Sequence, residues 1–361
     1  MTSTPRPSRT TMQDVSRLAG VSIATVSAVI NGKTVVSEEL TTRVNRAILM
    51  LNYQPDILAR SLRMQKSLAF GIIMPQIASP FYAEVLRGAE DEARKNGYSI
   101  LISDSRGDPE EERKQLTILI SRRVDGILLA PVSLQTMAYE KLDPGLSIVL
   151  FDRFPPGYQG SVVMVDNVEA CRKGTGHLIE CGHRRIAVIS GTPGILTSEE
   201  RLQGVREELS AAGLALRPEY VGVGRFNMRE AYEAAIKLLQ LPQPPTAIFS
   251  HNHEMTLGLM RAIMELGISC PLDVSVLGFD DFVVGSDGFS WATMFSPPIT
   301  CIAQPSYTIG RESVAALIRK MSPQPDAEVV PSAVLRLKAE LRIRKSIAPP
   351  ASSDASQRIR S

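Results

Sequence analysis

Three things are scarce in this 361-residue chain: cysteine, aromatic side chains and long apolar runs. Its four cysteines, Cys171, Cys181, Cys270 and Cys301, are too few and too scattered for a disulfide framework, so we expect a reducing, cytoplasmic environment. No run of about 18 uncharged apolar residues occurs, so we expect no membrane-spanning helix. No apolar segment follows the charged amino terminus, so we also expect no export signal. Hydrophobic residues still make up 44% of the chain, which is enough for a full core.

The charge of the chain is unevenly distributed. Of its 40 basic and 38 acidic residues, nine and four lie in residues 1–66, which gives this segment a net charge of +5. The remaining 31 basic and 34 acidic residues give residues 67–361 a net charge of −3. A basic segment attached to a slightly acidic body predicts a DNA-binding module joined to a domain with another task.

The segment from residue 11 to residue 31 predicts two short helices around a tight turn. Thr11 caps the first helix with Asp14 three residues later, Gly20 ends it in a left-handed conformation, and Ser22 caps the second. The residues spaced to face inward are Val15, Leu18, Ala19, Val21, Val26 and Ile30. The residues then left free to meet a DNA groove are Ile23, Ala24, Thr25, Ser27 and Ala28.

A third helix is predicted from a cap at Ser37 to Asn52, and it supplies the hydrophobic face that two short helices lack. Three such helices are also consistent with an ordinary helical cap on a larger domain. The basic charge of the segment favours DNA binding over that alternative.

From Leu68 onward, short apolar strands alternate with amphipathic helices, which predicts parallel sheets. The predicted strands are Leu68–Met74, Ser99–Ile102, Gly126–Ala130, Ile148–Phe151, Ile186–Ser190, Tyr220–Val223, Ala247–Ser250 and Val274–Phe279. They form two doubly wound units in tandem, whose strand carboxyl ends face one another across a cleft.

Polar residues follow several of these strands. Asp152 and Arg153 follow Ile148–Phe151, Asp280 follows the strand that ends at Phe279, and Asn252 follows the strand that ends at Ser250. Carboxylates accept hydrogen bonds from paired hydroxyls and an arginine fork donates them, so this set suits a polyol or a sugar acid. Acids after strands also cap the following helix, and that alternative is strongest for Asp281 and Asp166.

Ordered motifs over roughly residues 10–345 resemble the lactose/galactose-repressor (LacI-type) family of bacterial transcription regulators. The segments that carry the resemblance are residues 11–31, Val36–Glu39, Asn52–Pro55, Ala59–Leu62, Gly71–Pro75, Ser79–Tyr82, Val124–Leu128, Gly182–Ala187 and Val276–Asp281. So many matches in the same order are far more specific than any single motif.

The resemblance implies an N-terminal all-α helix-turn-helix module with a hinge helix, followed by an α/β periplasmic-binding-protein-like core of two doubly wound parallel-sheet lobes. The implied divisions are a disordered tail at 1–9, the DNA-binding domain at 10–54, the hinge helix and linker at 55–66, the two-lobed domain at 67–345 and a disordered tail at 346–361. Lobe one is expected at about 67–161 and 305–325, and lobe two at about 165–300 and 328–345. The implied function is that of a repressor whose operator affinity is controlled by a small molecule bound between the lobes, and we expect that molecule to be a sugar or sugar derivative.

The resemblance also implies the residues of two sites. The expected DNA contacts are Thr11, Ser22, Ile23, Ala24, Thr25, Ser27, Ala28, Asn31, Tyr53, Ala59, Arg60 and Leu62. The expected effector contacts are Pro75, Phe81, Tyr82, Asp152, Arg153, Arg201, Asn252, Phe279, Asp280 and Gln304, with Phe81 or Phe279 stacked on an apolar sugar face. In the family, paired hinge helices form in the minor groove and a leucine, here Leu62, wedges between base steps. Whether the effector releases the operator or acts as a corepressor stays open.

The chain departs from the family pattern at two positions. His253 stands where many members have an aspartate, and Ala28 where many have an arginine or histidine. An alanine makes no bidentate contact to guanine, so no operator sequence is predicted.

Three other functions are compatible with parts of the sequence: a zinc site, a sugar hydrolase and an exported sugar receptor. Cys171, His177, Cys181 and His183 lie within thirteen residues, but their spacing fits zinc poorly, so we expect no metal and no cofactor. Hydrolysis of a sugar by Asp152 and Asp280 lacks a supporting motif, so binding without catalysis is preferred. An exported sugar-binding receptor shares the two-lobed fold but would lack the DNA module.

The expected partners are double-stranded operator DNA, the effector and a second copy of the chain, with no membrane. One module reads only a half-site, so the functional unit should be a homodimer on a pseudo-palindromic operator. The prolines after Ala348 oppose a tetramerising helix.

Overall fold

The computed structural model describes residues 10–30, 36–53, 66–132, 145–284, 288–321 and 334–350. The chain divides into two compact units, Met1–Ser67 and Leu68–Ser361. In the described part of the chain, no helix is both long enough and apolar enough to cross a bilayer.

The first unit contains the three predicted helices, α1 (Met12–Ala19), α2 (Ile23–Ile30) and α3 (Glu38–Met50). Thr11 and Asp14 form the predicted reciprocal cap of α1, and Gly20 ends that helix with φ of 64°. The hydroxyl of Ser22 accepts a hydrogen bond from the Thr25 N–H at 3.1 Å, which confirms the cap of α2. The guanidinium of Arg43 on α3 donates to the carbonyl of Ala19 at 2.7 Å and so attaches α3 to the end of α1.

The core of this unit is small. Its buried hydrophobic residues are Val15, Ala19, Val26, Val44, Ala47 and Tyr53. The prediction that Leu18 faces inward is wrong, because its side chain is 48% exposed. On this two-turn helix only the stripe through Val15 and Ala19 is covered, and Leu18 lies beside that stripe.

The second unit is built from fourteen short strands and seven helices in the part of the chain that the structure describes. The strands are β1 (Ala69–Met74), β2 (Ser99–Asp104), β3 (Gly126–Leu129), β4 (Ser147–Phe151), β5 (Val162–Val165), β6 (Ile186–Ser190), β7 (Val221–Val223), β8 (Ala247–Ser250), β9 (Ser275–Phe279), β10 (Val283–Val284), β11 (Phe289–Ser290), β12 (Thr300–Ala303), β13 (Val334–Leu337) and β14 (Glu340–Arg342). The helices are α4 (Pro80–Lys95), α5 (Pro109–Ser121), α6 (Asn167–Glu180), α7 (Leu196–Ala211), α8 (Met228–Leu239), α9 (His253–Glu265) and α10 (Ser306–Met321).

Two six-stranded sheets define the two lobes. The lobe-one sheet has the order β13-β5-β4-β3-β1-β2 and the lobe-two sheet the order β14-β12-β9-β8-β6-β7. Every pairing within these sheets is parallel except that of β12 with β14. Strand β1 is apolar along its length, and β4 and β9 are apolar after their first residue, because helices cover both faces of such a sheet. The α/β fold with two doubly wound lobes is therefore confirmed.

The places where the chain crosses between lobes differ from those predicted. β5 and β13 pair with each other in the lobe-one sheet, so lobe one includes Val162–Val165 and Val334–Leu337. The last crossing therefore lies between Leu337 and Glu340, about ten residues later than predicted. A short apolar strand shows no preference for one sheet over another, so its partner depends on the tertiary fold.

The disordered carboxyl-terminal tail was expected to begin at residue 346, but the structure describes packed residues beyond that point. Ser346 is fully buried, and its hydroxyl donates to the carbonyl of Val276 at 2.6 Å and accepts from the N–H of Thr300 at 2.8 Å. Ile347 packs against the lobe-two core. The ordered core thus continues through Pro350, because these residues bridge β9 and β12. The expectation of disorder at both ends, residues 1–9 and 351–361, lies outside the described residues.

Candidate functional site

A cavity of about 470 Å³ lies between the two lobes. Its lining residues come from both lobes, and they are Pro75, Gln76, Ser79, Phe81, Tyr82, Asp104, Arg106, Gly107, Asp152, Arg153, Thr197, Arg201, Phe226, Asn252, Asp280 and Gln304. They lie at the end of a strand or within three residues after it, or at the start of α4 and α7. This is the place where doubly wound folds bind ligands, because the carboxyl ends of parallel strands open a crevice there.

The two lobes contribute acids from equivalent places. Asp152 follows β4 and Asp280 follows β9, and each of these strands is third in its sheet. Both strands end in phenylalanine, and both aspartates have left-handed backbones, with φ of 67° and 71°. Few side chains tolerate that conformation, but aspartate is among those that do. The turn therefore aims each carboxylate away from its strand and toward the cleft.

On the lobe-one side, Tyr82, Asp152 and Arg153 form a closed triangle of hydrogen bonds. The Tyr82 hydroxyl donates to Oδ2 of Asp152 at 2.9 Å, and Arg153 donates to the Tyr82 oxygen at 2.7 Å and to the same Asp152 oxygen at 3.0 Å. Burial, assisted by the charge of Asp152, raises the pKa of Tyr82, so this hydroxyl stays a donor. Oδ1 of Asp152 takes no part in the triangle and remains an acceptor for a ligand.

On the lobe-two side, the buried Arg201 is held from three directions. Its Nε donates to Oδ1 of Asn167 at 2.8 Å, and its Nη1 donates to the carbonyl of His251. Its guanidinium carbon lies 3.8 Å from the centre of the Phe279 ring. Two of its five N–H groups are used in this way, which fixes the fork and leaves donors for a ligand.

Asp280 is the second buried acid of the cleft. Its Oδ1 accepts from the Gln304 amide, and its Oδ2 lies 3.9 Å from Nδ1 of His253. Burial favours the neutral acid, but His253, Arg201 and Gln304 outweigh it and hold the pKa of Asp280 below its usual value. The cleft therefore contains a carboxylate rather than a carboxylic acid.

Asn252 has a structural task as well as a place in the cleft. Its Oδ1 accepts from the N–H of Met255 at 2.8 Å and so caps α9, and its amide donates to the carbonyl of Phe226 at 3.4 Å. The cap leaves Asn252 with one further N–H to donate to a ligand.

In the first unit, the residues at the start of α2 face outward. Ser22, Ile23 and Ala24 are exposed, whereas Thr25, Ser27 and Ala28 are half-buried. Thr11 is exposed, whereas Tyr53 is buried in the core of the unit, so a DNA contact by Tyr53 stays a prediction. The remaining expected DNA contacts, Asn31, Ala59, Arg60 and Leu62, lie outside the described residues and stay predictions.

Comparisons with known proteins identify the family. Residues 11–56 match the bacterial regulatory proteins of the lacI family, and residues 175–347 match the periplasmic binding protein-like domain. The HTH-type transcriptional repressor CytR of Escherichia coli (strain K12) is 34% identical over 319 residues, which cover 87% of this chain and 90% of that protein. The chain belongs to the lacI family. It is therefore a transcriptional regulator that joins a helix-turn-helix DNA-binding domain to an effector-binding domain, as the ordered motifs predicted.

Two further relatives of this lacI-family chain are similar over most of their length. The ribose operon repressor of the same Escherichia coli strain is 33% identical over 314 residues, covering 86% of this chain and 93% of that repressor. A lac repressor dimer, solved bound to operator and the anti-inducer ONPF, is 26% identical with a TM-score of 0.82 and covers 94% of this chain and 100% of that chain.

The structure brings nine of the ten expected effector residues into the cleft of this lacI-family core. Phe279 is the exception, because its ring is fully buried beneath the guanidinium of Arg201. We therefore assign Phe279 to the support of Arg201 and not to contact with a ligand. Asp166 caps α6 by accepting from the N–H of Glu169, and Asp281 accepts from Arg344 at 2.6 Å, so both acids are structural.

Sequence reasoning missed seven lining residues, which are Gln76, Ser79, Asp104, Arg106, Gly107, Thr197 and Phe226. Asp104 is the last residue of β2 and Arg106 lies two residues beyond it, so both come after the predicted strand Ser99–Ile102 and the strand-end rule was sufficient to find them. Phe226 had no such signal. It lies in the turn between β7 and α8 with φ of 61°, and this unusual backbone places its ring in the cleft.

The cysteines and histidines considered for zinc do not converge. Sγ of Cys181 lies 4.0 Å from Nε2 of His177, whereas His183 bonds to the Thr246 hydroxyl at 2.9 Å. Cys171 is buried in the lobe-two core. Within the described ranges, no three His, Cys, Asp or Glu side chains are grouped so as to hold a metal ion.

Proposed function

We propose that this lacI-family protein represses transcription as a homodimer on operator DNA in the cytoplasm, and that a neutral monosaccharide bound between its lobes changes its operator affinity. The observation that carries the proposal is the cleft, in which each lobe presents an aspartate, an arginine and an aromatic ring to the same space. The protein binds its effector without catalysing a reaction.

The charge of the cleft favours a neutral ligand over a sugar acid or a sugar phosphate. Its lining includes three aspartates and three arginines, so neither sign is in excess. Asp152 is paired with Arg153 at 3.0 Å, and the charge of Arg201 lies near Asp280. Such acid and base pairs accept and donate hydrogen bonds at once, which matches a pair of neighbouring hydroxyl groups.

Two aromatic rings favour a sugar with an apolar face. Phe81 belongs to lobe one and Phe226 to lobe two, and both line the cleft. An aromatic wall packs well against the C–H groups of a sugar ring, while the polar groups fix its hydroxyls. The similarity to a ribose operon repressor supports a pentose as the first candidate.

The DNA-binding part of the proposal rests on α2. Ile23 and Ala24 are exposed at its start, where a recognition helix meets base edges. Their side chains offer only apolar contacts, which suit the methyl group of thymine. Further selectivity then comes from DNA shape and from the residues that follow Tyr53, including Leu62.

A surface on lobe two supports the homodimer. The methionine patch consists of Met228, Leu257, Met260, Met264 and Phe295, on α8, α9 and the segment after β11. Met264 is 73% exposed and adjoins the other apolar side chains of the patch, and contiguous exposed apolar surface is typical of an interaction site. Arg261 and Glu265 border the patch, so two copies related by a two-fold axis would bring opposite charges together. The similar lac repressor was solved as a dimer.

The effector assignment is tested on the full-length chain by thermal shift with D-ribose, D-galactose, cellobiose, adenosine and adenine. A bound ligand at about 100 times its Kd should raise the free energy of unfolding by roughly 2.7 kcal/mol. Operator duplexes selected from random DNA then show by anisotropy whether that ligand changes DNA affinity. Conversion of the sugar to a product would instead favour hydrolysis. A shift with only cellobiose, adenosine or adenine, or with none of the compounds, would contradict a monosaccharide effector.

Asp280→Asn provides the sharpest variant, because asparagine tolerates the left-handed backbone and removes the charge while keeping the size of the side chain and one acceptor oxygen. Loss of one charged hydrogen bond of about 1.5–3 kcal/mol should weaken effector binding roughly 10- to 150-fold, measured by calorimetry. Operator affinity without effector should not change. Asp273→Asn, at an exposed acid of the same lobe, is the matched control. Equal effector affinities in Asp280→Asn and the wild type would reject Asp280 as a contact.

A further inference from the structure

A continuous chain of hydrogen bonds leads from the cleft to strand β13. Nε of Arg201 donates to Oδ1 of Asn167 at 2.8 Å, and Nδ2 of Asn167 donates to Oε2 of Glu200 at 3.0 Å. Nη2 of Arg336 donates to the other oxygen, Oε1 of Glu200, at 2.6 Å. Four side chains are thus linked in sequence, and only the first of them lines the cleft.

The ends of this chain belong to different lobes. Arg336 lies in β13 of lobe one, one residue before the chain begins its last crossing to lobe two. Glu200 lies on α7 of lobe two, next to Arg201. The first crossing passes through Asp166, whose N–H donates to the carbonyl of Leu337 at 2.9 Å. The Glu200–Arg336 pair therefore joins the two lobes close to the place where two crossings meet.

The burial of Glu200 makes the geometry of this pair restrictive. The Glu200 side chain is 10% exposed and that of Arg336 is 35% exposed. Each Glu200 oxygen has a different partner, so the carboxylate cannot turn without breaking one bond. The orientation of Glu200 sets that of the Asn167 amide, and the amide in turn holds Arg201. Loss of Arg336 would leave a largely buried negative charge without its counter-ion.

We propose that Arg336 is a positioning residue for Arg201, which it holds in place from the other lobe through Glu200 and Asn167. This inference rests on the proposed function only in taking Arg201 as an effector contact. The positioning of Arg201 is a property of the protein without ligand, so it can be tested separately.

The test is amide hydrogen exchange on the full-length protein without ligand, comparing the wild type with Arg336→Met. Residues 199–203 of α7 and 167–170 of α6 should exchange about three- to tenfold faster in Arg336→Met, because α7 loses its attachment to lobe one. Arg172→Met is the matched control. Arg172 pairs with Glu208 at 3.2 Å and so also joins α6 to α7, but entirely within lobe two. The Arg172→Met variant should leave the exchange rates of residues 199–203 within about twofold of those of the wild type.

Two further variants separate positioning from general destabilisation. Arg336→Lys keeps the charge and should restore most of the protection, whereas Glu200→Gln should produce the same exchange pattern as Arg336→Met. The double variant should add little to either single change, since both break one contact. Additive effects, or no rescue by lysine, would overturn the proposal. Should Arg336→Met fail to fold, Glu200→Gln with the lysine variant decides the same question.

D-ribose provides a second readout by calorimetry. Where the wild type binds it, Arg336→Met should weaken binding at least about tenfold, while Arg172→Met should not. Unchanged affinity in Arg336→Met would contradict the role of Arg336 toward Arg201. If the wild type does not bind D-ribose, that result counts only against a pentose as the effector. The hydrogen-exchange pattern then still decides whether Arg336 positions Arg201.

Discussion

Burial sets the chemical behaviour of His251, which directly follows β8 in lobe two. The residue is fully buried, and neither ring nitrogen has a hydrogen-bond partner among the described residues. The Phe249 ring meets it edge to face with 5.0 Å between ring centres. Burial, and next the charge of Arg201, lowers the pKa of His251 from 6.5 to about 3. The imidazole is therefore neutral in the folded protein and packs as an aromatic side chain.

This lowered pKa predicts a loss of stability in acid. The unfolded chain takes up a proton at His251 as the pH falls below 6.5, but the folded protein does not until about pH 3. The free energy of unfolding should therefore be highest above pH 6.5 and fall by about 2 kcal/mol at pH 5 on account of this residue alone. Urea unfolding of His251→Phe at pH 7.5 and pH 5.0 should show a correspondingly smaller loss.

His177→Gln is the control for the acid prediction, because His177 is only partly buried on α6. It should keep the pH dependence of the wild type. A His251→Phe variant that loses as much stability as the wild type between the two pH values would show that His251 is protonated in the folded protein.

Some side chains of the cleft were predicted correctly from the sequence and others were not. Asp152 and Asp280 were predicted because an acid after a buried strand of a doubly wound fold points into the crevice. Phe279 was expected to contact the effector, but its ring lies buried beneath Arg201. The alternation of side chains along a strand does not predict which aromatic ring an arginine will cover. The position of Arg201 over that ring is a contact between α7 and β9.

At the scale of elements, three helix pairs of the core approach closely at glycines. A Cβ on Gly88 of α4 would collide with the carbonyl of Tyr307 on α10, and one on Gly310 of α10 would collide with the carbonyl of Val85. Gly204 brings α7 against the backbone of α6, and Gly258 brings α9 against that of α8. The nearest atoms in these contacts belong to the backbone, which cannot change rotamer as a side chain can. A methyl group added at one of these glycines must therefore push the two helices apart.

The glycine contacts predict opposite results for two helix substitutions. Gly88→Ala should lower the free energy of unfolding by about 1–3 kcal/mol, because the added methyl group overpacks the α4–α10 contact. Gly176→Ala on α6 should be neutral or stabilising by up to about 1 kcal/mol, since alanine favours the helix. The nearest atom to a Cβ there is the Glu208 carboxylate at 3.3 Å, the end of a flexible side chain.

Urea unfolding of the two variants and the wild type checks this prediction. Both substitutions add one methyl group to a helix, so the comparison isolates the effect of the close backbone contact. Equal stability changes for Gly88→Ala and Gly176→Ala would show that α4 and α10 can separate at little cost.

At the scale of the whole molecule, the methionine patch predicts how the chain assembles. Met264→Glu places a charge in the middle of the patch and should weaken dimerisation at least about tenfold, because two such charges would meet across a two-fold axis. Leu272→Glu is the control, since Leu272 is 72% exposed in the same lobe but lies outside the patch.

Sedimentation over a range of protein concentrations measures the dimer affinity of both variants. Monomers of Met264→Glu should also bind operator more weakly, because two modules must reach both half-sites at once. A dimer affinity of Met264→Glu equal to that of Leu272→Glu would place the contact between copies elsewhere on the chain.

The sequence by itself determined the features that depend on neighbours along the chain. The capping box at Thr11, the turn at Gly20, the bounds of most strands and the acids that follow β4 and β9 were all predicted. Each depends on the conformational preference or hydrophobic pattern of a few consecutive residues. The order of the motifs also identified the family.

Only the tertiary structure decided what depends on pairing across long distances in sequence. It assigned β13 to lobe one, buried Ser346 between β9 and β12, placed Phe226 in the cleft and joined Glu200 to Arg336. The local sequence of a strand or a charged side chain does not specify its partner, since many partners would satisfy its local preferences equally well. The choice among them is made by the packing of the whole chain, where all pairings must be satisfied together.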